Sequence, residues 1–139
     1  MEICVRQANF RYIVYDVDAA LEFYCGMLGF DVQMHPAPQF AMIVKDEICI
    51  ALSAPSGSGG GAQGSADGGR PTPGGWNRIS LAVSDLYAEV DRLRDAGARF
   101  RNDVVEGVGG RQVVLDDPSG NPVELFEAYT DDKVAGKKG

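Results

Sequence analysis

The chain of 139 residues is long enough for one domain, or for two small modules sharing a core, and its 45% apolar and 24% charged residues are those of an ordinary globular protein. A net charge of −7 argues against nucleic acid and anionic membranes as partners, because both call for a basic surface. No run approaches the roughly 18 apolar residues of a membrane-spanning helix, and MEICVRQANF lacks the basic-then-apolar pattern of a signal peptide, so a cytoplasmic protein is expected.

In residues 8–15 the alternation of Phe10, Tyr12 and Val14 predicts a strand. In VDAALEFYCGML, Val17, Leu21, Tyr24 and Leu28 share one helical face, and Gly29 follows as a stop. FDVQMH, FAMIVK and EICIALS read as three short strands, the last two joined by a turn at Lys45–Asp46. Residues 55–75, PSGSGGGAQGSADGGRPTPGG, carry almost no apolar side chains to offset the entropy of ordering, and a mobile linker is expected. A phosphate-cradling loop would need a following helix and a Lys-Ser/Thr pair, which this stretch lacks.

The first pattern then returns. Ile79, Leu81 and Val83 alternate as a strand, and a helix follows with Leu86, Val90, Leu93 and Arg94 on one face. Asp85 stands at its start as Asp16 stands at the start of the first helix, each placed to cap open N–H groups. ARFRND, RQVVLD and PVELFEA give three more strands, with DPSGN as the turn before the last. The chain is therefore an internal β-α-β-β-β repeat: residues 1–54, a linker over 55–75, a second module over 76–129 and a flexible tail over 130–139. Cys4, Cys25 and Cys49, odd in number and widely spaced, read as reduced thiols in or near the core.

YDVDAALEFYCGMLGF in the first module, with WNRISLAVSDLYAEVDRLRDAGARF and DDPSGNPVELFE in the second, resemble the vicinal oxygen chelate superfamily. This superfamily groups glyoxalase I, extradiol dioxygenases, fosfomycin-resistance enzymes and bleomycin-resistance proteins. The resemblance implies an α+β fold of two βαβββ modules, the glyoxalase/bleomycin-resistance fold, whose curved sheets surround a cleft, and commonly a homodimer. It also implies four metal-ligand positions, at the start and on the last strand of each module. The residues at those positions are Asn9, Ala51, Arg78 and Glu124. Ala51 has no donor atom, Asn9 is at best a weak oxygen ligand, and Arg78 stays protonated. Transition metals in enzymes generally take about three protein ligands, often imidazole with carboxylate, so neither a metal site nor a cofactor is expected. Arg78 and Glu124 are instead expected to pair, the guanidinium supplying the charge an ion supplies elsewhere.

Strand alternation places Asn9, Arg11, Cys49, Ala51, Trp76, Arg78, Glu124 and Phe126 on the cleft side. Ile13, Ser53, Ser80 and Pro122 share that side, while Phe10, Tyr12, Val14, Ile50, Leu52, Ile79, Leu81, Val83, Val123 and Leu125 pack under the helices. Phe40 and Met42 either line the cleft or fill the core. Trp76 either stacks on a flat ligand or packs at the rim against a partner subunit, and the lone His35 reads as structural. These residues form a candidate site for a planar or aromatic small molecule. The expected function is a metal-free binding protein that confers antibiotic resistance by sequestering a bleomycin-, mitomycin- or enediyne-like metabolite, with no catalytic residue. The alternatives are a metal-dependent lyase or dioxygenase of the glyoxalase type, or a metal-independent enzyme using Glu124 or His35 as base.

Overall fold

The computed structural model describes residues 8–55 and 61–130. Cys4 and most of the tail lie outside them. The chain divides at Gly75/Trp76 into two compact units, and the turn Pro118–Asn121 groups with the first.

The first unit opens with β1 (Phe10–Ile13), which leads into α1 (Val17–Tyr24). Asp16 caps α1 as its place at the start of the helix predicts, its carboxylate accepting from the Ala19 N–H at 3.2 Å. Winding continues in turns to Leu28, and Gly29, at φ +84°, ends it. The Phe30 N–H then reaches back to the Tyr24 carbonyl at 3.0 Å, a left-handed glycine closure. The buried face of α1 is Val17, Ala20, Phe23 and Tyr24. Leu21, expected on that face, is only half-buried, and Phe23 takes the inward place. Tyr24 meets Tyr12, Phe23 and Phe30 edge-on, with ring centroids 6.1, 4.9 and 5.9 Å away.

Strands β2 (Asp31–Ala37), β3 (Phe40–Lys45) and β4 (Ile48–Ser53) complete a sheet ordered β1-β4-β3-β2. The β3–β4 connection is the tight turn expected after Lys45, with Asp46 in the left-handed region at φ 52°. Tyr12, Val14, Ile43, Ile50 and Leu52 are buried with the α1 face. Phe10, expected in that core, is 43% exposed, because it is the first residue of an edge strand that among the described residues pairs with β4 alone.

The second unit repeats the plan: β5 (Ile79–Ala82), α2 (Leu86–Asp95), β6 (Arg99–Phe100), β7 (Val105–Glu106), β8 (Gly110–Asp116) and β9 (Pro122–Ala128). The sheet runs β5-β9-β8-β6, and β7 also pairs with β8. Asp85 caps α2 through the Ala88 N–H at 3.1 Å. Ile79, Leu81, Val113, Leu115, Val123 and Leu125 are buried, as are Leu86, Val90 and Leu93 of α2. The expected strand over ARFRND is reduced to two residues, and β7 is an element that the alternation did not reveal. In both units the first strand pairs in parallel with the last, so Arg11 lies beside Ala51 and Ser80 beside Glu124.

Candidate functional site

Glu124 lies in the middle of β9, on the face turned away from Val123 and Leu125 and hence from the apolar core. Its carboxylate has two partners from β5 and the residue before it. Arg78 donates from Nε at 3.0 Å and from Nη2 at 2.9 Å to Oε1, and the Ser80 hydroxyl donates to Oε2 at 2.9 Å. The side chains of Arg78 and Glu124 are 26% and 13% exposed, which makes this a partly buried, hydrogen-bonded ion pair. The expected pairing is therefore present, and both carboxylate oxygens are engaged.

The same face carries a second pair that sequence alternation did not identify. Arg101 follows β6, its N–H bonded to the Val114 carbonyl at 2.8 Å, while the Asn102 side chain accepts from the Val114 N–H at 2.9 Å. Its Nε donates to Asp116 Oδ1 at 2.5 Å, and its guanidinium lies 4.5 Å from the centre of the Trp76 ring. Trp76 is nevertheless 67% exposed, and its carbonyl accepts from Arg78 Nη1 at 3.2 Å. Phe126, two residues beyond Glu124, packs its ring over Gly110, where a Cβ would come within 2.6 Å of it. Trp76, Arg78, Glu124 and Phe126 thus fall on one face, with Ser80, Arg101 and Asp116 added to them.

In the first unit the equivalent face is different. The β3–β4 register sets Met42 opposite Ala51 and Phe40 opposite Ser53. Both therefore share the face of Ala51 and Cys49, which resolves their orientation. Met42 and Cys49 are buried together, with Met34, Phe40 and Val44 packed against them. Arg11 donates to the buried Ser53 hydroxyl at 2.9 Å, and its guanidinium also lies against Gly61, where a Cβ would collide with it. Asn9 precedes β1 and is exposed, and His35 is an exposed residue of β2. Beyond Gly61 the chain turns on itself, the Ser65 N–H bonding to the Gly69 carbonyl at 2.8 Å. Hydrogen bonds from Ser65 and the Gly69 backbone hold the Asp67 carboxyl below its usual range.

Two further clusters in the second unit serve structure. Glu127 is 3% exposed yet accepts from the Leu86 N–H at 2.8 Å at the start of α2, with Arg111 Nη1 at 3.6 Å. At the unit's surface, Tyr129 and Tyr87 donate their hydroxyls to Glu106, the latter at 2.6 Å, and Arg111 pairs with the same carboxylate at 3.2 Å. The hydrogen bond from Tyr129, then that from Tyr87, holds the Glu106 carboxyl below the ordinary carboxylate range, and the bonds to Glu106 push both phenols up. Cys25 is half-buried, and its thiol is pushed up by burial and then by Asp31, which keeps it protonated.

The four positions where metal-dependent relatives are expected to place ligands do not fit a divalent ion here. One is an alanine, one an exposed amide and one a guanidinium. The fourth, Glu124, has both oxygens engaged by Arg78 and Ser80. Among the described residues, no three His, Cys, Asp or Glu side chains stand close enough together to hold a metal.

Two units on the βαβββ plan, the second with β7 as an additional short strand, each pairing its first and last strands in parallel, define a vicinal-oxygen-chelate type of fold. Residues 6–125 match the model of the Glyoxalase/Bleomycin resistance protein/Dioxygenase superfamily, and the chain belongs to that superfamily. A probable lactoylglutathione lyase of Synechocystis sp. is 26% identical over 123 residues, spanning 81% of this chain and 87% of that protein. TnmS3, an antibiotic binding protein from Streptomyces sp. CB03234, superposes with a TM-score of 0.67 at 23% identity, covering 93% of this chain and 99% of its own. A superfamily member from Sphaerobacter thermophilus superposes with a TM-score of 0.65 at 28% identity, covering 86% and 96%.

Proposed function

We propose that this chain is a metal-free small-molecule-binding protein that sequesters a planar or aromatic toxic metabolite, of bleomycin, mitomycin or enediyne type, on the face carrying Trp76. The observation that carries this reading is the state of Glu124. At the one family ligand position that keeps a carboxylate, an arginine and a serine engage both of its oxygens. What remains on that face is an exposed indole, Phe126 and a set of oriented hydrogen-bonding groups, which suits a flat ligand with a few polar substituents. The antibiotic-binding relative supports the ligand class. A homodimer in the cytoplasm belongs to the same proposal, and sedimentation of the purified chain tests its dimeric part.

A second reading is favoured by the probable lactoylglutathione lyase among the relatives. It is a glyoxalase- or dioxygenase-like enzyme, metal-dependent with ligands drawn from other positions, or metal-independent with Glu124 as base. In the metal-independent form, the proton would be taken on Oε2, the oxygen that Ser80 rather than Arg78 engages.

Trp76 is the only tryptophan of the chain, so its fluorescence reports on this face alone. Titration with a panel of planar antibiotics is expected to give saturable quenching at one ligand per chain. Absence of quenching across the panel, together with turnover of a hemithioacetal that Glu124→Gln abolishes in folded protein, would replace sequestration with the enzymatic reading.

A further inference from the structure

Trp76 has two anchors, and each is an arginine held by its own carboxylate. Arg78, fixed by Glu124, donates to the Trp76 carbonyl at 3.2 Å. Arg101, fixed by Asp116 at 2.5 Å, lies against the indole with its guanidinium 4.5 Å from the ring centre. The Arg101 and Asp116 side chains are only 17% and 29% exposed, so this second pair is shielded although the indole it supports is not.

We infer that Asp116 and Arg101 are positioning residues that hold Trp76 in a fixed orientation, one face of the indole covered by the guanidinium and the other available for stacking. An aromatic side chain exposed to 67% and held only by its backbone would change rotamer on the picosecond-to-nanosecond scale. Each binding event would then include the entropy of fixing it. Arg101 removes that freedom beforehand, and Asp116 removes the corresponding freedom of Arg101. The planar fork of arginine is what allows this, because it accepts an edge-on carboxylate and a face-on ring together, which a lysine ammonium does not. A flat ligand on the remaining face completes a guanidinium–indole–ligand stack. This inference rests on the proposed ligand class for its functional consequence, whereas the fixed indole is a property of the unliganded chain.

The experiment uses full-length protein with Asp116→Asn, Asp116→Glu, Arg101→Ala and Arg101→Lys, each checked for folding by far-ultraviolet circular dichroism. Two readouts are taken without ligand, the steady-state anisotropy of Trp76 and its quenching by acrylamide. The third is the dissociation constant of whichever planar antibiotic quenches the wild type. Arg101→Ala and Arg101→Lys are expected to lower the anisotropy and raise acrylamide quenching, and Asp116→Asn to do so less. Ligand affinity falls about three- to tenfold in the first two, the size of a lost cation–π contact, and Asp116→Glu recovers most of the wild-type signal. Unchanged anisotropy and acrylamide quenching in folded Arg101→Ala and Asp116→Asn would overturn the inference. Altered ligand-free readouts with no antibiotic bound by the wild type would support the positioning role and overturn the sequestration reading instead.

Discussion

The two sheets are built to one plan and carry opposite chemistry on the faces turned away from their helices. In the first unit that face is apolar and sulfur-rich: Cys49 and Met42 are buried together, and Met34, Phe40 and Val44 pack around them. In the second it is a ladder of ion pairs, Arg78 with Glu124 and Arg101 with Asp116, leading to an exposed indole. The parallel strand pairing makes the correspondence residue by residue. Ala51 stands where Glu124 stands, and Arg11 where Ser80 stands. A cation at the second position of the first strand therefore faces a methyl group, and Arg11 bonds instead to Ser53 on the neighbouring strand position. Duplicated backbone geometry thus fixes where side chains point, while single substitutions decide whether a position packs, pairs or binds.

The comparison can be broken most strongly at Arg78. Arg78→Ala leaves a carboxylate only 13% exposed without its cation. Loss of one partner of a fully buried pair costs about 3–5 kcal/mol, and the partial exposure here brings the expected loss to about 2–3 kcal/mol. Urea denaturation of Arg78→Ala, Glu124→Gln and the double variant should show the two effects coupled, the double variant losing less than their sum. An additive result would mean that the pair does not stabilise the second unit.

A smaller effect is expected from making the first unit resemble the second. Ala51 is 5% exposed beside the apolar patch, so Ala51→Glu should cost about 1–3 kcal/mol for burying a carboxylate. The neighbouring Arg11 should offset part of it, and the cost should rise when Ala51→Glu is made together with Arg11→Ala. Equal costs in both backgrounds would mean that Arg11 does not reach that position.

Conservative exchanges should separate the faces further. Met42→Leu keeps volume and polarity, and a loss below about 1.5 kcal/mol is expected from its melting curve. Arg78→Lys, as mild on paper, loses the two-nitrogen contact with Glu124 and the bond to the Trp76 carbonyl, so its loss should exceed that of Met42→Leu.

The smallest effect is electrostatic and lies at the surface of the second unit. The Glu106 carboxyl is held low by Tyr129 and Tyr87, so the folded state favours its charged form. Its contribution is present above the ordinary carboxylate pKa and is lost as pH falls through the lowered value. Acid titration followed by tyrosine fluorescence should show a transition below the usual carboxylate range that Glu106→Gln removes. A transition unchanged by Glu106→Gln would place it elsewhere.

Much of this architecture is legible in the chain itself. PVELFEA alternates without interruption and is β9 as written; FAMIVK is β3; Asp16 and Asp85 cap as their positions require. What escaped notice depends on long-range register. Arg101 reads as one charge within the strand ARFRND, and Asp116 as the last residue of the strand RQVVLD, with nothing in either pattern to pair them. The β6–β8 pairing brings them together, and Arg101 in turn reaches Trp76. Glu127 falls in alternation with Val123 and Leu125, and its role as acceptor for the α2 N-terminus follows from packing of that helix on β9. Strand β7 is two residues long, too short for alternation to register.

The central claim is that the one surviving carboxylate of the family's ligand positions holds an arginine instead of a metal. It is tested most directly by the metal content of protein purified without chelator, measured again after incubation with zinc, nickel and manganese and removal of excess ion. Wild-type protein and Glu124→Gln are predicted to retain negligible and indistinguishable amounts. Near-stoichiometric metal in the wild type that Glu124→Gln loses would contradict the account and bring the lyase or dioxygenase reading to the front.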